Sequence, residues 1–171
     1  MRKKLLIVIV VMVFLFGMAL SFAGCSKVVE GVRQVLSGNV SGEIGKSYST
    51  QWFDFTVKSV KEVDSYAGYE PEAGYRFIAV DILETGAFDE PITMGTFDFY
   101  MDADTFFEYI WPLDPFDDSM MPSEFMLEKG ETVEYIMVYV IPEEAPNLKL
   151  MYTEIDIEDN EGVTFTINLN L

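Results

Sequence analysis

An antiparallel β-sandwich is the fold this chain predicts for residues 45–171, and three observations predict it. Short stretches alternate strictly between apolar and polar residues, no long helical period occurs, and turn residues punctuate the alternation at fairly regular intervals. An open barrel or a jelly roll would use the same elements. No internal repeat points to a propeller or a solenoid.

The elements follow in chain order. Arg2, Lys3 and Lys4 form a cationic start, and Leu5 to Phe22 carry no charge before the small residues Ala23 and Gly24 introduce Cys25. That order is a secretion signal of residues 1–24. At about 1.5 Å of rise per helical residue the apolar run also suffices to cross most of a bilayer, so cleavage and retention both stay open. The stretch "FAGC" resembles the lipobox of bacterial lipoprotein signal peptides. The resemblance implies that Cys25 receives a thioether-linked diacylglycerol and becomes the mature N-terminus. Two acyl chains hold a protein stably to a membrane where one does so marginally. Cys25 is the only cysteine, so a chain acylated there has no thiol left for a disulfide, catalysis or a metal.

Residues 25–44 read as a tether. Val28, Val29, Val32, Val35 and Leu36 recur at helical spacing, but valines and two glycines make a weak helix. The domain is expected from Gly45. Phe53, Phe55 and Val57 alternate with Asp54, Thr56 and Lys58 on a first strand, and the acidic loop "DSYAGYEPEAG" follows. "YRFIAVDILE" reads as a strand buried on both faces from Phe77 to Leu83. In "TFDFYMD", Phe97, Phe99 and Met101 are expected on one face and Asp98, Tyr100 and Asp102 on the other. "TVEYIMVYVI" is the most pronounced strand, β-branched and aromatic until Pro142 stops it. "LKLMYT" and "VTFTINLNL" supply two more, and the segments near Phe106–Ile110 and Phe125–Leu127 are candidates for others.

Composition excludes several functions. The 11 basic residues include Arg2, Lys3 and Lys4, so 8 remain beyond the signal against all 29 acidic ones, a net of −21. Such a chain has no basic patch with which to release counterions from nucleic acid. Its 15% aromatic content argues for a packed core over disorder. There is no histidine, so the usual neutral-pH general base and the Ser-His and Cys-His pairs are absent. The chain reads as a non-enzyme.

From Gly45 to Leu171 the order "GKSYSTQWFDFTVKSVKEV", "GYRFIAVDILETG", "FDFYMDADTFFEYIWP", "LEKGETVEYIMVYVIPEEA" and "LKLMY" is similar to the domain-of-unknown-function-4352 family. The most specific pieces are the aromatic-to-"VD" strand at Phe77–Asp81 and the "L-x-x-G-E-T" turn at Leu127–Thr132. The resemblance implies an immunoglobulin-like sandwich, akin to a secreted mycobacterial antigen, in a mainly Gram-positive lipoprotein on the extracytoplasmic face of the membrane. It implies no activity.

One region stands out for function, "DADTFFEYIWPLDPFDDSMMPSE" at 102–124. Asp102, Asp104, Asp114, Asp117 and Asp118 could gather calcium, which takes six to eight oxygens. Tyr109, Trp111 and Phe116 could instead form a platform, rimmed by acids, for a sugar, a peptide or a cationic ligand. The plainer expectation, that these rings cap the core while the aspartates face water, is favoured because large aromatics are normally well buried. "DIEDNEG" at 156–162 departs from a calcium loop, since its Gly sits one place late and Ile167 stands where the closing Glu belongs, so a hairpin turn is expected there. The functional expectation is a lipid-anchored binding module whose partner is a cell-envelope protein or a cationic polymer. The alternative is an envelope structural or stress component acting through calcium or such a polymer.

Overall fold

The computed structural model describes residues 38–104, 109–155 and 161–171. The signal peptide, Cys25, most of the expected tether and the expected turn at 156–160 lie outside them. Among the described residues no helix is long and apolar enough to cross a membrane.

The strands are β1 (Asn39–Glu43), β2 (Ser47–Ser49), β3 (Phe53–Val63), β4 (Tyr75–Gly86), β5 (Ile92–Met94), β6 (Phe99–Ala103), β7 (Phe125–Leu127), β8 (Thr132–Pro142), β9 (Leu148–Ile155) and β10 (Glu161–Asn168). One sheet has the order β1-β10-β9-β6, the other β2-β3-β4-β8, and β5 pairs with β7 as a short ribbon. Pairing is antiparallel apart from β1, which runs parallel to β10. The fold is a β-sandwich.

Alternation builds its core. Phe53, Phe55 and Val57 of β3 point inward, as do Ile78, Val80 and Ile82 of β4 and Val163, Phe165 and Ile167 of β10. The two sheets meet through the rings of Phe53 and Phe55 on one side and Phe99 and Tyr152 on the other, with centroids 5.0–6.3 Å apart. Most of these pairs are tilted or edge-on, the arrangements that aromatic quadrupoles favour. The two-sided burial expected of β4 from Phe77 to Leu83 is complete only at its start: Ile78 faces the main core while Phe77 packs outside with Met120 and Val138, and the outward Ala79, Asp81 and Leu83 are half-buried. That second cluster forms because residues 113–121 fold along β8, where Leu113 N–H donates to Val138 O and Met121 N–H to Ile136 O, both covering an otherwise open edge.

The structure departs from the sequence pattern at three places. Asn39–Glu43, assigned above to the tether, is β1, with Val40 beside Phe165. It holds one large apolar residue, so it carries no alternation signal and owes its place to pairing. Phe97 is not on the core face of its strand. Residues Thr96–Asp98 form a 3₁₀ turn, whose three-residue period breaks the alternation, and Phe97 is 47% exposed while Phe99 and Met101 are fully buried. Glu84 continues the inward phase of Ile78, Val80 and Ile82, and so places a carboxyl in the core, 1% exposed.

Candidate functional site

Trp111, Tyr109 and Phe116 do not cap the core. They are 49%, 55% and 39% exposed. Ile110 explains the first two: it pairs with Met101 of β6 through two backbone hydrogen bonds of 2.8 Å and lies partly buried against the core. Its neighbours on either side therefore point to the opposite face, the one that Tyr100 of β6 occupies. The Tyr100 ring lies 4.5 Å from Tyr109 and 5.3 Å from Trp111, and Phe97 reaches Trp111 at 6.5 Å. Four rings thus form one surface cluster.

Several bonds hold it in place. The Tyr100 hydroxyl is 2.8 Å from Thr153 Oγ1, which in turn is 3.1 Å from Thr164 Oγ1. Asp98 Oδ2 accepts from Gly95 N–H at 2.7 Å and closes the turn that presents Phe97. Gly95 is required there because a Cβ would stand 2.1 Å from Ser123 O. Phe97 and Tyr100 were absent from the sequence-based set. Tyr100 was legible from its outward phase beside Asp102; Phe97 was hidden by the 3₁₀ turn.

Phe116 belongs elsewhere. It packs on Tyr69 at 4.9 Å and Tyr66 at 5.9 Å, and the Tyr66 hydroxyl meets Ser119 Oγ at 2.8 Å.

The five aspartates are likewise divided. Asp102 and Asp104 share Lys149, their cross-strand neighbour on β9; Asp102 lies 3.6 Å from its Nζ, and Asp104 bonds it directly. That hydrogen bond holds the Asp104 carboxyl below its ordinary range and raises Lys149. Asp117 accepts from Ser119 N–H at 2.8 Å and from its hydroxyl, which lowers its pKa in the same way. Asp114 and Asp118 are exposed. The chain leaves β6 at Asp104 and reaches β8 by Leu113, so the two groups of acids serve different sheets. Among the described residues no three carboxylates are placed to hold a metal, and the calcium set does not assemble.

No family model matches the sequence, and no curated protein does. Solved structures do resemble it. A secreted protein of Mycobacterium tuberculosis, MPT63, aligns with a TM-score of 0.58 at 12% identity, over 77% of this chain and 98% of its own. An uncharacterized β-sandwich protein of Clostridium difficile aligns with a TM-score of 0.53 at 12% identity, over 77% and 95%. A Bacillus subtilis protein, ycdA, named provisionally as a lipoprotein, aligns with a TM-score of 0.56 at 16% identity over 71% of this chain. This chain spans 38% of the length of ycdA. Identities this low establish a shared fold: the chain is a β-sandwich of the kind these bacterial proteins adopt.

Proposed function

We propose that this protein is a lipid-anchored, extracytoplasmic, non-catalytic binding module whose surface of Phe97, Tyr100, Tyr109 and Trp111 takes a cationic partner of the cell envelope. The observation that carries the reading is a surface cluster of four contacting rings, with Phe97, Tyr109 and Trp111 exposed and Tyr100 half-buried between them, on a protein of net charge −18. Exposed Trp and Tyr clusters are the usual energetic centres of protein interfaces. Their π faces attract ammonium and guanidinium groups, and a strongly acidic surface steers such partners inward. Cys25 and the apolar run before it support the anchor. The likeness to a secreted protein and to one provisionally named a lipoprotein agrees with an extracytoplasmic address.

Two experiments test the reading. Expressed in a bacterium with intact lipoprotein processing, the full chain incorporates labelled palmitate and fractionates with membranes, and Cys25→Ala does neither; a soluble, unlabelled parent would sink the anchor. Titration with decalysine gives saturable binding that weakens with salt, and Trp111→Ala lowers the affinity about tenfold, in the range expected of a cation–π contact. Equal binding by Trp111→Ala would leave only diffuse electrostatic attraction.

A further inference from the structure

The four rings of the aromatic surface do not form a flat platform. The antiparallel bridge between Met101 and Ile110 sets Tyr109 level with Asp102 and Trp111 level with Tyr100. Tyr109 and Trp111, two residues apart on one face, therefore stand about 7 Å from each other along the strand direction. Both touch the Tyr100 ring, at 4.5 Å and 5.3 Å, with interplanar angles of 51° and 53°. Tyr100 is half-buried and its two neighbours are exposed, so it is the floor of a slot and they are the walls. Phe97 precedes β6 and so lies on the side of Trp111 away from Tyr109, 6.5 Å from the indole at 66°, where it closes a second slot. The relief is fixed in place: Thr153 holds the Tyr100 hydroxyl, and Asp98 closes the turn that carries Phe97.

Hydrogen-bond donors and negative charge surround the two slots. Among the described residues, neither the Trp111 indole N–H nor the Tyr109 hydroxyl has a hydrogen-bond partner. Asp102, on the same face of β6 as Tyr100, shares the single ammonium of Lys149 with Asp104, which leaves one carboxylate charge in excess beside the floor. Asp114, three residues beyond Trp111, is exposed. A saccharide does not suit this relief, because a pyranose stacks through a flat face and rings inclined by 51–66° share no plane. An unbranched lysine chain uses ring faces singly and leaves the slots unfilled. Pyrrolidine rings fill them, and a polyproline II helix presents one on the same face every three residues, about 9 Å along its axis. Its backbone makes no internal hydrogen bonds, so its carbonyls are free to accept from an indole N–H and a phenol O–H.

We infer that the aromatic surface takes a basic, proline-bearing segment of a protein in the polyproline II conformation, with prolines in the slots on either side of Trp111 and lysine or arginine side chains toward Asp102, Asp104 and Asp114. The inference rests on the cationic-partner reading above and narrows it to one class of peptide. Aromatic-lined grooves are a recurring means of holding proline-rich segments. Such a segment is already extended when free, so little conformational entropy is lost as it docks. The two parts of the surface act differently. The carboxylates speed encounter and make binding depend on salt, while the slots select proline over other residues of the same charge pattern.

The test uses the full chain in detergent and three probes of equal charge: a twelve-residue peptide repeating Pro-Pro-Lys, one repeating Gly-Gly-Lys, both with blocked termini, and a glucosamine tetramer. The Pro-Pro-Lys peptide should bind about tenfold more tightly than the Gly-Gly-Lys peptide, and salt should weaken both alike so that the ratio is kept. With Trp52→Phe, which leaves Trp111 as the only indole, the Trp111 emission should shift to the blue on binding Pro-Pro-Lys and hold its position with Gly-Gly-Lys at matched occupancy. Trp111→Ala, a change at an exposed position, should bring the two peptide affinities together. Equal affinity of the two peptides for the parent, or tighter binding of the glucosamine tetramer, overturns the inference and leaves the cationic-partner reading standing. A ratio that Trp111→Ala does not lower overturns the inference as well. Saturable binding of none of the three probes overturns the inference and the cationic-partner reading together.

Discussion

At the scale of single residues, Glu84 makes stability depend on pH. Its folded-state pKa is pushed up to about 8 from an ordinary 4.5, because burial and then the Asp98 charge penalise the carboxylate. Between those values the folded chain keeps a proton that the unfolded chain has released, so the contribution of this group is fully present below about pH 4.5 and is lost as pH rises toward 8. The decline from this group is about 1.4 kcal/mol per pH unit. Asp98, raised by burial, acts in the same direction. Denaturant midpoints measured from pH 5 to pH 8 should fall in the parent, and Glu84→Gln should flatten the trend and be the more stable of the two at pH 8. A parent midpoint that rises with pH would show that Glu84 is ionised in the fold. The position was legible in principle, since Glu84 and Glu154 keep the inward phase of their strands, but a charged residue at the end of an apolar run reads as the start of a loop. Trp111, Tyr109 and Phe116 were legible as residues and misplaced as core, because the frequency with which aromatics are buried says nothing about which face the Ile110 pairing leaves them on.

Among the elements, long alternating strands were readable, β6 was read from its alternation and the three-residue β7 was a candidate at its observed bounds, while β1, β2 and β5 were not read. β3, β4, β8 and β10 each carry several inward apolar residues, which fixes their phase. β1, β2 and β5 have five, three and three residues, too few to display a period, and they exist because neighbouring strands offer them backbone partners. β1 can be tested through Gly42, where a Cβ would lie 2.3 Å from Ile167 Cδ1 and 2.7 Å from the Tyr48 ring. Gly42→Ala should destabilise the domain by about 1–3 kcal/mol, seen as a lower melting temperature. Gly86→Ala should cost more, because its Cβ would meet the backbone oxygen of Glu128 at 2.1 Å and a main chain yields less than a side chain. A Gly42→Ala variant as stable as the parent would mean that β1 is dispensable.

At the scale of the whole molecule, the fold class was readable from alternation, but the division of the segment 102–124 was not. Two sheets pull that segment apart: β6 keeps Asp102 and Asp104 beside Lys149, while Asp117 and Phe116 travel with the chain toward β8. Lys149 is a side-chain cation already seated on two of the five aspartates that were candidates for holding calcium. Millimolar calcium should therefore leave the melting temperature of the full chain unchanged; a saturable rise would require a site, since a ligand bound only by the folded state must stabilise it.

The proposal that this sandwich is a binding module rests on its aromatic surface, and Trp111 reports on that surface. Acrylamide quenching of the full chain carrying Trp52→Phe, with and without saturating decalysine, is the decisive measurement. Trp111 should emit at long wavelength and quench readily in the free protein, then become protected as decalysine binds. A blue-shifted, poorly quenched Trp111 in the free chain would return the ring to the core, and an indole equally accessible in both states would show that the cation binds elsewhere.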